Sequence, residues 1–205
     1  MSLITEDDQQ RISAAITDAE KRTSGEIVAV ITPDSASYLS IPFLIAAAVA
    51  LFVPWPLIYF TWMTVQWIYA LQLGVFLLLA LALMPRSIRF RIVPRAMLRS
   101  RAHRRAVEQF LALDLDTTAG RTGVLVFVSV AERYAEIIAD TGLHEKVEQS
   151  AWQEIVDGLT TEIGAGRANS ALIKAIERVG ALLAKHFPAS AGDVRHLPDH
   201  LIVLG

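Results

Sequence analysis

The sequence predicts an α/β (α+β) fold: a small mixed β-sheet sandwiched by helices, with an inserted two-helix transmembrane hairpin. Three observations carry this. No charged residue occurs between Asp34 and Arg86. Three short runs, Glu26–Thr32, Gly123–Val130 and Tyr134–Ala139, are rich in the β-branched and aromatic residues that suit strands. The segments flanking those runs repeat their apolar residues at helical spacing.

Taken in order, Thr5–Arg22 reads as an amphipathic helix. Thr5 is its N-cap, and Glu6, Asp7 and Asp8 fill the first turn, where the helix dipole favours negative charge. Ile12, Ala15, Ile16 and Ala19 share one face, and Thr23-Ser24-Gly25 stops the helix. Glu26–Thr32 follows as a continuous apolar run, the pattern of a strand covered on both faces.

The stretch Leu39–Met84 is then far too long for one span. A hydrocarbon core of ~30 Å needs roughly 20 apolar residues per helix. Two spans are predicted, Ile41 to Trp62 and Trp67 to Met84, with a turn at Met63–Gln66. Pro54 and Pro56 are expected to kink the first. Trp55, Tyr59, Trp62, Trp67 and Tyr69 gather around the turn, as amphipathic aromatics do at headgroup level. Met1–Asp8 is polar and acidic, so the first span is expected to serve as an uncleaved insertion signal.

Arginines at 86, 89, 91, 95, 99, 101, 104 and 105 crowd behind the second span. Basic residues beside a span stay cytoplasmic, so both termini are expected in the cytoplasm and the protein in the inner membrane. Arg86, Arg89, Arg91 and Arg95 are the predicted contacts to lipid headgroups. Arginine-rich segments also bind nucleic acid, but direct attachment to a span favours the membrane, and no nucleic-acid partner is expected. Ser87–Leu113 is predicted to be helical, with a break near Pro94.

Beyond it come the strand Gly123–Val130, a turn at Ala131-Glu132-Arg133, and the strand Tyr134–Ala139 as its hairpin partner. His144–Ile163 is predicted as helix in two pieces, Ser150 and Gln153 forming a capping box for the second. Gly164-Ala165-Gly166 breaks it, Ala168–Phe187 is a last amphipathic helix, and Leu201–Leu204 is a short strand or docked end. The first strand must then pair with strands more than 90 residues later. The expected organisation is 1–38 as the first helix and strand, 39–84 as the hairpin, and 85–205 as the rest of the interrupted domain. About 160 residues outside the hairpin suffice for one compact core.

The chain has no cysteine, which excludes disulfides and thiolate metal sites. Asp114-Leu-Asp116-Thr-Thr has the look of an aspartyl-phosphate motif, but the run before it, Phe110 to Leu113, continues a helical pattern, and the motif reads as a polar loop between helix and strand. His196 and His200, with Asp193 and Asp199, have helical ligand spacing that Pro198 interrupts; they read as a solvated tail. Glu26, Glu132 and Asp140 sit at strand ends or turns. If the strands form one sheet, some of these carboxylates can meet at an edge and hold a hard cation, Ca²⁺ or Mg²⁺. No Ser-His-Asp order stands out, and residue chemistry alone does not indicate an enzyme.

Several motifs together resemble the TPM domain: Ser24-Gly25-Glu26-Ile-Val-Ala-Val-Ile, Arg121-Thr-Gly123-Val-Leu-Val-Phe-Val-Ser, Glu132-Arg133, and Glu136-Ile-Ile-Ala-Asp140-Thr-Gly142. The helix from Ser150-Ala-Trp152 to Ile163 and the ending Gly180 to Pro188 are similar too. The likeness is to the bacterial membrane branch, in which a hairpin interrupts the domain after its first strand. The resemblance implies a small mixed sheet between helices, divalent-cation binding at Glu26, Glu132 and Asp140, and, from some plant members, an acid phosphatase activity. Two functions are expected from these readings. One is a non-enzymatic module that binds or helps assemble membrane-protein complexes, with lipids and another membrane protein as partners. The alternative is a metal-dependent phosphatase acting on phosphomonoesters.

Overall fold

A computed structural model describes residues 4–118, 120–144, 146–189 and 201–204. His196 and His200, with Asp193 and Asp199, lie outside the described residues. Two compact units emerge: residues 1–35 with 99–205, and residues 36–98.

The first unit begins with α1 (Glu6–Glu20). Thr5 is its N-cap and forms a capping box with Asp8: Asp8 N donates to Thr5 Oγ1 (3.1 Å) and Thr5 N to Asp8 Oδ2 (3.3 Å). The Thr5 hydroxyl is the main reason the Asp8 carboxyl lies below the usual range. Four strands follow, β1 (Glu26–Thr32), β2 (Gly123–Ser129), β3 (Tyr134–Ala139) and β4 (Ile202–Val203), in the order β3-β2-β1-β4. β1 pairs in parallel with β2 from Glu26↔Gly123 to Thr32↔Ser129, and with β4 at Val30↔Ile202. β2 and β3 form an antiparallel hairpin, from Val124↔Ala139 to Ser129↔Tyr134. The sheet is therefore mixed, and its central pair joins strands that flank the whole uncharged stretch.

Alternation along the strands supplies two apolar faces. Ile27, Ala29 and Ile31 of β1, with Val124, Val126 and Val128 of β2, pack beneath α1, α8 (Gln149–Gly164) and α9 (Ala168–His186). Val28, Val30, Leu125 and Phe127 face the other way, toward Ala106 and Phe110 of α6 (Arg95–Ala112) and the buried Leu115. This is the expected sandwich.

Side chains tie the layers together. Asn169 Nδ2 donates to Asp8 Oδ2 (2.8 Å), joining the starts of α9 and α1. Ile27 N donates to the buried Glu20 Oε1 (2.8 Å), and Thr23 Oγ1 donates to Phe187 O (2.6 Å). α1 and α9 cross so closely at Gly180 that a Cβ there would lie 2.5 Å from the Cβ of Ala19.

The predicted capping box of the second late helix does not form. α8 begins at Gln149 after the N-cap Glu148, Ser150 Oγ donates to Glu148 Oε2 (3.3 Å), and Gln153 reaches forward to Asp157 (2.8 Å). Ser150 already lies inside the helix, two positions too late to cap it. A short α7 (Thr141–His144) precedes α8.

The second unit contains α2 (Ser40–Phe52), α3 (Pro54–Phe60) and α4 (Val65–Leu83), followed by α5 (Arg86–Ile92). Ser40–Phe60 and Val65–Leu83 are each long and apolar enough to cross a membrane, and each is mostly exposed rather than buried in protein. The first is interrupted at Val53, where Pro54 takes the first helical position of α3. At the other end of the hairpin, the fully buried Tyr38 meets Phe90 edge-on, ring centroids 5.3 Å apart, with Val93 and Leu98 in the same cluster. Val93 is extended, and Pro94 separates α5 from α6 where the sequence predicted a break.

Candidate functional site

The sheet register decides which of the three predicted carboxylates can meet. Glu26 opens β1 opposite Gly123. Asp140 follows β3 and donates its N–H to Gly123 O (2.9 Å), so it flanks Gly123 on the other side. Strand spacing puts the two backbones about 10 Å apart, with side chains on the same face. Backbone of Leu115 lies against that face at Gly123, where a Cβ would collide with the Leu115 carbonyl oxygen. Only glycine leaves room for that crossing.

Asp140 is buried. Its Oδ1 accepts from Thr141 N (2.6 Å) and Thr141 Oγ1 (3.1 Å), with Arg121 Nη1 at 3.9 Å. Its Oδ2 is buried with no donor among the described residues. An oxygen so placed suits a cation or an added donor.

Glu132 is elsewhere. It sits in the turn after β2, at the opposite end of the sheet from Glu26 and Asp140. Its Oε1 accepts from Ser35 N (2.8 Å) and its Oε2 from Ser129 Oγ. Glu132 therefore stitches the segment leaving β1 to the end of β2. The three carboxylates do not make one ligand set, because the strands hold their two ends a full strand length apart. Among the described residues, no three His, Asp or Glu side chains come together as a metal cluster.

The Asp114–Thr118 segment is a turn after α6, with Asp114 at φ 52° and Leu115 buried in the core. Its Thr118 Oγ1 accepts from Thr122 N (3.1 Å). A nucleophilic aspartate on a strand end has no counterpart here, in keeping with the polar-loop reading.

Sequence reasoning missed a second polar group. His103 Nδ1 lies 2.9 Å from Glu136 Oε1, and the Tyr134 hydroxyl donates to Glu136 Oε2 (2.9 Å). Burial, with the nearby Glu136 charge, pushes the Tyr134 phenol well above its ordinary value; Arg99 pulls the other way. Tyr134 and Glu136 stand two apart on a strand, so they share a face, which was the one signal available in the sequence. His103 comes from a helix 33 residues away, and no spacing rule brings it in.

The predicted lipid contacts lie in the second unit and at its edge. Arg86 and Arg89 hold their guanidinium groups 6.0 and 5.7 Å from the Phe90 ring centroid. Arg86, Arg91 and Arg95 are exposed, and Arg89 is half-buried.

A family model described as the TPM domain matches residues 77–182. The NMR structure of BA42 protein from the psychrophilic bacterium Bizionia argentinensis is similar in fold, with a TM-score of 0.62 over 98% of this chain and 96% of that one. The two are 21% identical, so the likeness speaks for the fold alone. No curated relative matches the sequence.

Proposed function

Because this chain belongs to the TPM-domain family, we propose that it is a membrane-anchored TPM module that binds, and helps assemble or maintain, membrane-protein complexes without catalysing a reaction. One observation carries the reading: β1 pairs along its whole length with β2, although two membrane-competent helices separate them in sequence. The hairpin is thus an insertion within a folded domain, attached to it at both ends. A domain built around such an excursion works on what lies in or at the bilayer. Arg86, Arg89, Arg91 and Arg95 are its contacts to anionic headgroups, at about 1 kcal/mol for each basic residue near the surface. By the positive-inside rule both termini face the cytoplasm of a bacterial inner membrane.

The test has three readouts. Membranes washed in alkaline carbonate should keep the chain, and its recovery in the supernatant would overturn the anchor. A reporter fused after Gly205 should read cytoplasm; periplasmic activity would reverse the orientation. Cross-linking in intact membranes should capture integral membrane proteins.

A second reading, a divalent-metal-dependent phosphatase acting on phosphomonoesters, is favoured by the buried Oδ2 of Asp140, which has no donor among the described residues. Asp140 and Glu26, on one face of the sheet end, are the residues that would hold Ca²⁺ or Mg²⁺; Glu132 is not among them. Such an ion would supply Lewis-acid stabilisation of a phosphoryl oxygen. Purified protein assayed on phosphomonoesters with and without Ca²⁺ or Mg²⁺ separates the readings. Turnover abolished by Asp140→Ala but kept by Asp116→Ala would replace the first reading with the second.

A further inference from the structure

β3 is an edge strand: it pairs with β2 and with no other strand among the described residues. In an antiparallel ladder, hydrogen-bonded and non-hydrogen-bonded pairs alternate. Asp140 bonds to Gly123, so Ile138, Glu136 and Tyr134 occupy the bonded positions opposite Leu125, Phe127 and Ser129. Ala135, Ile137 and Ala139 therefore turn their backbone N–H and C=O outward.

That edge is recessed, not flush. A groove of about 570 Å³ lies along the first part of it, lined by Ala135 and Ile137 of β3. Arg99, Arg133, Tyr134 and Glu136 border it, and the α8 residues Trp152, Gln153 and Val156 form its far wall beside Asp157, whose Oδ1 accepts from Gln153 Nε2 (2.8 Å). Trp152 is 3% exposed, and its Nε1 is buried without an acceptor among the described residues. Arg99 and Arg133 are exposed and make no ion pair among the described residues.

We propose that the open edge of β3 docks an extended segment of a partner protein with alternating apolar and acidic side chains, which adds to the sheet as a further strand. Main-chain groups of the segment would pair with Ala135, Ile137 and Ala139, the mode in which sheet edges take up peptides. Register then divides its side chains between two faces. Those beside Ala135 and Ile137 face Trp152 and Val156 and are apolar. Those beside Tyr134 and Glu136 lie on the face of Arg99, where an acidic group has Arg99 and Arg133 as counter-ions while Glu136 is already held by His103 and Tyr134. The recess decides against a second copy of this chain: its own β3 is bordered by the same α6 and α8 residues, which would meet their counterparts before the edges could pair.

This deepens the binding-module reading and rests on it. The two fail separately: a chain that still cross-links to membrane proteins but ignores peptide loses the edge and keeps the module.

The experiment is fluorescence anisotropy with a labelled peptide of alternating valine and glutamate, titrated with the full chain in detergent. Saturable binding is expected, with the alternating valine and lysine peptide at least about tenfold weaker. Ile137→Pro removes an outward N–H that no neighbouring strand uses, so it should weaken binding by about tenfold or more while the circular dichroism stays native. Ile137 also packs against the core, so a second variant guards against misfolding. Arg99→Glu with Arg133→Glu touches only exposed side chains and should shift preference to the lysine peptide. Absence of saturable binding, equal binding of both peptides by the unaltered chain, or undiminished binding by folded Ile137→Pro would overturn the proposal. So would a dimer that Ile137→Pro dissociates and the peptide does not.

Discussion

Tyr134 holds its phenol proton more tightly in the fold than in water, because ionising it would place a second negative charge in a half-buried site beside Glu136. The consequence for stability has a definite sign. Below pH 10, the ordinary value for tyrosine, the phenol is neutral folded or unfolded and adds no pH dependence. Above it the unfolded chain loses the proton first, so stability falls as pH rises toward the elevated folded value. Thermal unfolding by circular dichroism at pH 8 to 11 should show a shallower alkaline decline for Tyr134→Phe than for the parent. At pH 8 the variant should be less stable by about 1 kcal/mol, the net worth of the lost hydrogen bond. Parallel alkaline slopes would mean that Tyr134 titrates normally. Residue-level detail was unevenly legible. Thr5 and Asp8 announced a helix start because a cap is a local arrangement. Glu132 read as a ligand candidate because sequence shows a carboxylate near a strand end but not which end, nor that Ser35 and Ser129 already occupy it.

Helices and strands were more legible than their contacts. β1 and β3 fall where their β-branched runs do, and Pro94 breaks the basic helix because a proline ring excludes continued helix from the residue before it. The close crossing of α1 and α9 at Gly180 was not legible, since a glycine in a helix looks like a defect until its neighbour is known. Two helical glycines now make opposite predictions. Gly180→Ala should destabilise by about 1–3 kcal/mol, because the added methyl meets Ala19 and the helices must separate. Gly158→Ala should stabilise by about 0.5–1 kcal/mol, because its nearest neighbour is the flexible end of Arg178 at 3.7 Å and alanine is the better helix former. Melting temperatures in detergent check both; a Gly180→Ala variant that melts no lower than the parent would show that the crossing does not limit the packing.

At the scale of the whole chain, the sheet domain is one of two compact units, and its chain leaves after β1 and returns in α6. Both apolar layers of that domain draw their residues from 1–35 and 99–205 alone. Sequence revealed the interruption because the absence of charge over 35–85 is unmistakable and the two halves of the sheet look like strands on either side of it. It could not reveal the register, which depends on which apolar faces the helices cover. If the core is complete without residues 36–98, replacing them with a flexible Gly/Ser linker long enough to join Ser35 to Arg99 should yield a domain that stays in solution without detergent. Closing the central parallel pair over a shorter loop costs less chain entropy, by ~0.6 kcal/mol for each halving of loop length. The β1–β2 pairing should therefore be no weaker than in the parent. Urea unfolding should be a single cooperative transition by far-UV circular dichroism and by Trp152 fluorescence, which becomes the sole tryptophan signal once Trp55, Trp62 and Trp67 are gone. A broad transition, or two probes that disagree, would show that the inserted hairpin is part of what folds the sheet rather than a passenger between its strands.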